Sequence, residues 1–406
     1  MIILSIAILV AIFAAAVWLP LNMGLIGLAA ALGVGAMAGL SAKDVLTGFP
    51  ADLFLTLLGI TYLFGIASRN GAIDWLVARA SHRLGHHTGF IPALVFTVTA
   101  ALTALGAVGP AAVAVVAPIA LRMARAHGFS ALMMGLMVVH GAQAGAFSPI
   151  SIYGGITNKV LARTGIVPQP EYLFLASAAF NATMALAIWL WYARHRAASA
   201  SAAHEIEAPQ ALTRDGAWTL TGLAALAAGA LLFKIDIGFM ALIVIIALAM
   251  VAPRTQDGAL KQVDWSTILL ISGIVIYVGV LEKIGAIGAV SAAIGTVGSA
   301  ALAALLLCYL AATVSAFASS TALLGVMIPL AAPLLGAPGI PAMGVIGALC
   351  IANTIVDTSP FSTNGALIVG NTPEPDRPDL LRKLLIYSAL VVAFGPLLAW
   401  AVFVGV

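Results

Sequence analysis

Two short runs in this 406-residue chain have residue types and spacing that can hold a ligand without a charged side chain. They are Ser148-Pro149-Ile150-Ser151 and Ser359-Pro360-Phe361-Ser362, one pattern at an offset of 211 (148 to 359, 151 to 362). Proline removes a backbone donor and disrupts the turn before it, which frees carbonyls. Freed carbonyls and hydroxyls can coordinate a hard cation. A helix restarting after the break offers N–H groups and a positive dipole end to a carboxylate. Thr157 and Asn158 follow the first copy, Thr363 and Asn364 the second. A single Ser-Pro can simply kink a helix for packing; two corresponding copies favour a binding site.

Asp357 stands two residues before the second copy. Of 15 acidic residues it alone falls inside an apolar run rather than in a loop, linker or span end. A carboxylate at membrane depth is costly unless paired, protonated or ion-bound. It predicts a cation or proton site, with Asn353, Thr354, Ser319 and Thr321 as further coupling residues and sodium as one candidate ion. The competing reading is a structural hydrogen-bonding acid. His140 is the one histidine in an apolar run, and Gln143 lies nearly one turn beyond. Two readings stand for His140: a hydrogen bond to a substrate carboxylate, or a satisfied packing histidine. His82, His86 and His87 read as a solvated amphipathic helix rather than a metal site. Two tips complete the set: Val108-Gly109-Pro110, and Ser319-Ser320-Thr321 with its three hydroxyls.

The elements that must position these groups follow from composition. The chain is 62% hydrophobic and 8% charged, with a mean hydropathy of +1.12. A soluble domain is about 25% charged, so a soluble enzyme is excluded. A net charge of +3 leaves no basic face for nucleic acid. Cys308 and Cys350 lie in apolar runs, so neither a disulfide framework nor a cysteine-rich metal site is expected. The expectation is a lipid-embedded, multi-pass protein with room for about ten spans. The run 2–19 lacks a basic leader and a clear cleavage site, and is read as a retained helix.

Two apolar regions, 90–124 and 299–336, each hold two short arms around a small or polar tip. Each is read as a re-entrant hairpin, whose irregular tip must be buried in protein or line a watery cavity. Five crossings then remain per half. Thirteen basic residues fall on one face (Arg69, Arg79 and Arg254 among them). Five fall on the other: Lys43, Lys159, Arg163, Lys234 and Lys283. The richer face is cytoplasmic by the positive-inside bias, which places both termini outside the cytoplasmic membrane.

The halves also match each other. Leu58-Gly59-Ile60 pairs with Ser272-Gly273-Ile274 at an offset of 214 (59 to 273), and Pro118 with Pro329 at 211. Glycine matches in apolar helices are weak signals; the doubled SPxS is a strong one. Five crossings per half make the repeat inverted, a mark of secondary transporters. The expected fold is an all-α polytopic membrane protein of two inverted repeats of five transmembrane helices, each with a re-entrant hairpin and a broken helix. The first repeat spans 1–192 (hairpin 90–124, broken helix 129–158). A cytoplasmic linker spans 193–216, with a flexible Ala/Ser stretch at 197–203. The second repeat spans 217–406 (hairpin 299–336, broken helix 340–370).

The stretch Gly135 to Gly145, leading into Phe147-Ser148-Pro149-Ile150-Ser151, resembles the malonate/dicarboxylate carrier (MatC-type) family. So do Gly48-Phe49-Pro50-Ala51-Asp52 and Asn70-Gly71-Ala72-Ile73-Asp74-Trp75. This resemblance covers most of residues 1–190. Asp357 through Gly365 resembles the wider ion transporter superfamily, which includes the divalent anion:sodium symporters. The resemblance implies a dimerising scaffold, a mobile transport unit and an elevator motion. In the sodium-coupled relatives each tip carries Ser-Asn-Thr; here both asparagines are missing, and the first tip has no side-chain oxygen. One sodium near Asp357, proton coupling, or no coupling all stay open.

The functional expectation is a secondary carrier of a small dicarboxylate such as malonate or succinate, working as a homodimer with no cofactor beyond a coupling Na+ or H+. Substrate is expected between the tips, against Gly109, Pro110, Ser148, Pro149, Ser151, Ser319, Ser320, Thr321, Ser359, Pro360, Ser362, Thr363 and Asn364, with His140 and Gln143 nearby. The alternatives are a cation/proton antiporter using Asp357, an uncoupled uniporter or exchanger, a passive channel, and an intramembrane enzyme, for which Asp357 with His140 is the one candidate pair.

Overall fold

The computed structural model describes residues 1–18, 21–84, 88–194, 211–289, 299–316 and 320–405. His86, His87, the 197–203 stretch and Ser319 lie outside the described residues. Helix is the expected outcome for such a sequence, because a segment in lipid must satisfy its own backbone groups. No strand occurs among the described residues.

The first half opens with α1 (Ile2–Trp18), α2 (Met23–Met37), the short α3 (Ala42–Leu46), α4 (Ala51–Arg69) and α5 (Ala72–Leu84). Next come an antiparallel pair, α6 (Ile91–Ala104) and α7 (Gly109–His127), and the interrupted α8 (Ala131–Gly145) and α9 (Ile152–Arg163). Helix α10 (Pro170–Arg194) closes the half. The second half runs through α11 (Arg214–Leu232), α12 (Ile237–Val251) and α13 (Trp265–Lys283) to the pair α14 (Ala300–Ser315) and α15 (Ser320–Ala331). It ends with the interrupted α16 (Ala342–Ile355) and α17 (Thr363–Gly370), and with α18 (Arg377–Phe403). Seven helical stretches among the described residues are long and apolar enough to cross a membrane.

Three boundaries differ from expectation. Helix α11 begins at Arg214, inside the stretch read as linker, because the Thr213 hydroxyl caps the Gly216 N–H. Helix α9 runs past 158 to Arg163, since Lys159 and Arg163 find partners outside the helix. Helix α3 was not expected; Ser41 and Asp44 close a capping box that starts it.

Packing between the halves is reciprocal. Helix α2 crosses α13 where Gly24 meets Gly273, and α12 crosses α4 where Gly238 meets Gly59. These residues are 214 apart (24 to 238, 59 to 273). The crossings need glycine. A Cβ on Gly273 would lie 1.8 Å from the Gly24 carbonyl oxygen, and one on Gly238 would lie 2.8 Å from the Thr56 nitrogen. The same reciprocity holds in the other layer, where α9 packs on α15 and α17 packs on α7.

Charges gather at two ends. The Lys159 ammonium donates to the Asp52 carbonyl (3.0 Å), the Thr56 hydroxyl (2.6 Å) and the Asp236 carboxylate (2.9 Å), and Arg163 pairs with Asp52. These bonds tie α9 to α4 and to the start of α12. At the opposite end of α4, Arg69 stands beside Gly258, and Asn70 donates to the Thr219 hydroxyl (2.6 Å).

Candidate functional site

Both breaks fold in the same way. After α8, the Ser151 hydroxyl accepts from the Gly154 N–H (3.2 Å) and faces the carbonyls of Ala146 and Ser148. After α16, the Ser362 hydroxyl accepts from the Gly365 N–H (3.3 Å) and faces the carbonyls of Asp357 and Ser359. A Cβ on Gly154 would sit 2.0 Å from the Ser148 carbonyl oxygen, and one on Gly365 would sit 2.1 Å from that of Ser359. The second serine of each SPxS is therefore an N-cap that ties its break together. The first serine turns the chain: Ser148 accepts from Ile150 N–H, and Ser359 from Phe361 N–H (both 3.3 Å). Ser148 also donates to the Ala104 carbonyl at the end of α6. With those hydroxyls spent on the backbone, the first N–H groups of α9 and α17 are the donors left without a helical partner.

The halves exchange arms at this level. Asn364, in the first turn of α17, lies over the first tip: a Cβ on Gly109 would be 3.7 Å from Asn364 Nδ2. Tyr153, in the first turn of α9, starts the helix that packs on α15, with its ring against Phe147 (centroids 5.7 Å apart). Gly109 and Pro110 begin α7, whose N-cap Val108 supplies no side-chain bond.

Asp357 is buried in a 3-10 turn between α16 and the break. The Ser320 hydroxyl donates to its Oδ1, and Ser315 and Ser320 hydroxyls are 2.8 Å apart. Since Ser320 spends its hydrogen on the carboxylate, Ser315 is the donor to Ser320. Asn353 Nδ2 donates to the Ser320 carbonyl (2.8 Å), while its Oδ1 is buried without a partner. None of the four ion pairs among the described residues involves Asp357. No group of three or more His, Cys, Asp or Glu that could hold a metal occurs among them either.

Four amide oxygens are buried and unpaired within the protein: those of Gln143, Asn158, Asn353 and Asn364. Unsatisfied acceptors at this density call for water or a ligand. Gln143 reaches across the halves, its Nε2 donating to the Thr354 carbonyl (2.6 Å). The Thr354 hydroxyl bonds back to Cys350 in its own helix, so its side chain serves α16.

His140 is fully engaged. Nδ1 is 2.9 Å from Asn181 Oδ1 on α10, and Nε2 is 2.6 Å from the Tyr387 hydroxyl on α18. Asn181 Nδ2 donates to the Ser177 carbonyl (3.0 Å), which fixes the amide orientation. Nδ1 therefore carries the hydrogen and Nε2 accepts from Tyr387. This is the packing reading of His140, in which no ring nitrogen is left for substrate.

Of the predicted set, the fold brings together Ser320, Thr321, Asn353 and Asp357 at the second tip, and Gly109 and Asn364 at the first. Pro149 and Pro360 shape the breaks, and Thr363 is exposed. Sequence reasoning missed Tyr153 and Ser315. Tyr153 is the position equivalent to Asn364 (153 to 364), so the offset already in hand could have found it. A cavity of about 100 Å³ lies beside the first tip, lined in part by Thr61, Ser68, Val108, Ala111, Gln262 and Asp264.

Residues 1–146 match the family model described as the dicarboxylate carrier protein MatC N-terminus. The resemblance read from the first half is borne out over that stretch, which ends two residues before the first SPxS. No curated protein matches the chain. Among solved structures, the crystal structure of the Alcanivorax borkumensis YdaH transporter is similar in fold, with a TM-score of 0.63 at 17% identity. The similarity covers 88% of this chain and 86% of that one.

Proposed function

We propose that this chain is a secondary carrier of a small dicarboxylate, of the malonate or succinate class, in the cytoplasmic membrane. The observation that carries the reading is the exchange of arms. Each capped break sends its restarted helix to the hairpin of the other half, α9 onto α15 and α17 onto α7, and buried unpaired amide oxygens remain at both places. Two helix starts meeting two tips can receive two carboxylates with backbone N–H groups, needing no buried Arg or Lys. The match of residues 1–146 to a dicarboxylate carrier family supports the substrate class, and the fold shared with a transporter supports carriage rather than catalysis.

Asp357 is the coupling group in this reading. A carboxylate surrounded by hydroxyls and amides at membrane depth has to be neutralised by a cation or a proton. The substrate is a dianion, so moving it with a cation also lowers the charge carried through the low-dielectric layer. Two halves related by an inverted repeat, with an elevator movement of the tip-and-break unit and homodimeric assembly, complete the proposal.

The test is uptake of radiolabelled malonate and succinate into proteoliposomes under an imposed sodium gradient, an imposed proton gradient, or neither. Gradient-dependent accumulation is expected. Equal uptake without any gradient would identify a uniporter or exchanger. Absence of uptake under every gradient would overturn the dicarboxylate reading and favour cation/proton antiport through Asp357.

A further inference from the structure

The helices fall into two layers. In one, α2 packs on α13 and α4 packs on α12; in the other, the two antiparallel pairs pack around the two breaks. The layers meet where α9 packs on α4 and where α15 packs on α13. The sequence offsets pair α4 with α13, α7 with α15, and α9 with α17. The counterpart of the α15–α13 contact is therefore α7 against α4, and there the cavity beside the first tip lies between them. Val275 is buried in the closed contact, its Cγ2 3.6 Å from where a Cβ on Gly325 of α15 would stand. Its counterpart Thr61, 214 positions lower, lines the cavity. The tip-and-break unit thus sits to one side of a frame that offers it two seats.

We propose that Lys159 and Arg163 form a one-sided latch, which holds the tip-and-break unit in this seat and biases the carrier toward it. The inference rests on the elevator movement proposed above and adds what sets its resting position. The Lys159 ammonium, on a mostly buried side chain, bonds the Asp236 carboxylate, the Thr56 hydroxyl and the Asp52 carbonyl, and Arg163 pairs with the Asp52 carboxylate. All four bonds run from the unit to the scaffold, and each has an ionised donor, which makes it stronger than a neutral one. The opposite seat has no such set. The positions equivalent to Asp236 and Asp52 are Asn22 and Ser266, and those equivalent to Lys159 and Arg163 are Gly370 and Glu374. Asn22 Nδ2 donates to the Ser266 carbonyl (2.8 Å) and hydroxyl (3.1 Å), so these two satisfy each other within the scaffold. Glu374 pairs with Arg377 inside its own layer (3.8 Å). A move to the opposite seat breaks four charge-assisted bonds and finds an uncharged pair in their place. That difference in contacts sets the populations of the two seats.

Two introduced cysteines read the seats. Ser68 is exposed and lines the cavity, whereas Val275 is covered by α15. Cys308 and Cys350 are buried, so a water-soluble maleimide takes the introduced thiol first. With the latch intact, Ser68→Cys should react fast and Val275→Cys slowly. Adding Lys159→Met is expected to speed labelling of Val275→Cys about tenfold, as loss of hydrogen bonds from a charged group does to an equilibrium, and to slow that of Ser68→Cys. Asp236→Asn weakens one bond of the set, should shift both rates in the same directions by about threefold, and carries the test if Lys159→Met fails to fold. Unchanged labelling at both positions overturns the inference. So does faster labelling at both, which reports loosening rather than a change of seat. Either result leaves the carrier reading intact where the wild-type protein takes up malonate or succinate. No wild-type uptake of either acid overturns the carrier reading, and this inference falls with it.

Discussion

The two interrupted helices share one skeleton and carry unlike chemistry. Both breaks have a serine cap, a glycine three residues after it that packs on the carbonyl of the turn serine, and a restarted helix that packs on the other half. Around the second break stand Ser315, Ser320, Thr321, Asn353 and Asp357. At the equivalent positions of the first stand Ala104, Gly109, Pro110, Ala142 and Ala146, each 211 lower. Five oxygen-bearing side chains face five residues with none. Backbone geometry is thus common property of the halves, while the buried carboxylate and the hydroxyls around it belong to one of them. A symmetric frame with an asymmetric lining can hold two different ligands at once.

The largest expected effect tests that asymmetry directly. Asp357→Asn should abolish gradient-driven accumulation of malonate, whereas Ala146→Ser, at the matching place, should leave accumulation within about threefold of wild type, both read in proteoliposomes. Retained accumulation in Asp357→Asn would dissolve the distinction between the halves. Next come the glycine crossings, where the halves should behave alike. Gly24→Ala and Gly238→Ala each drive a methyl group into the backbone of a neighbouring helix, and overpacking of that kind costs about 3 kcal/mol. Similar drops in thermal unfolding temperature in detergent are expected for both. A drop in one alone would show that the scaffold crossings are not equivalent.

The serine caps give a smaller and sharper comparison. Ser151→Ala and Ser362→Ala should each lose about 1 kcal/mol of stability, the usual value of an N-cap. Ser362→Ala should also weaken cation activation, because its hydroxyl bonds the Asp357 carbonyl; Ser151→Ala should not. The smallest effect is at Asp236. Burial raises its pKa, but the hydrogen bonds from Lys159 and from the Phe239 N–H, with the Lys159 charge, outweigh this and hold it below the ordinary value. A depressed pKa contributes stability that is present above the unfolded value, about pH 4, and lost as the pH falls through the folded one. Asp236→Asn should therefore cost less than about 1 kcal/mol near neutral pH, as a half-exposed pair does. Its melting curve should converge on wild type in acid.

Much of the frame was legible because it rests on residues with few substitutes. Proline and serine break and cap helices by rules local to a few positions, so the doubled SPxS located both breaks. Asp357 stood out because an acid in an apolar run has few explanations, and it lies where the polar groups converge. Other features depended on long-range packing. Gly59 and Gly273 looked like chance matches, yet each marks a helix crossing whose closeness depends on residues some 200 positions away. His140 had two open readings because its partners, Asn181 and Tyr387, sit on helices distant in sequence. Serine hydroxyls looked available for ligand, but the backbone within five residues claims those of Ser151 and Ser362. Tyr153 passed unnoticed because an aromatic beside a Ser-Pro break reads as packing until α15 is seen against its helix.

Helix α9 has two attachments with opposite consequences. Its first turn is capped into the first break, and its last turns are pinned through Lys159 and Arg163 to Asp52, Thr56 and Asp236. The anchors are grouped on one face and are short, so sliding α9 against α4 by even a few ångströms severs all of them together. A partial displacement then costs nearly as much as a complete one, which favours two resting positions over a continuum. In the elevator movement proposed above, escape from the pinned position would be the slow step. In that proposal, ionic strength, which screens exposed charges, would act on the waiting time more than on affinity for the cargo.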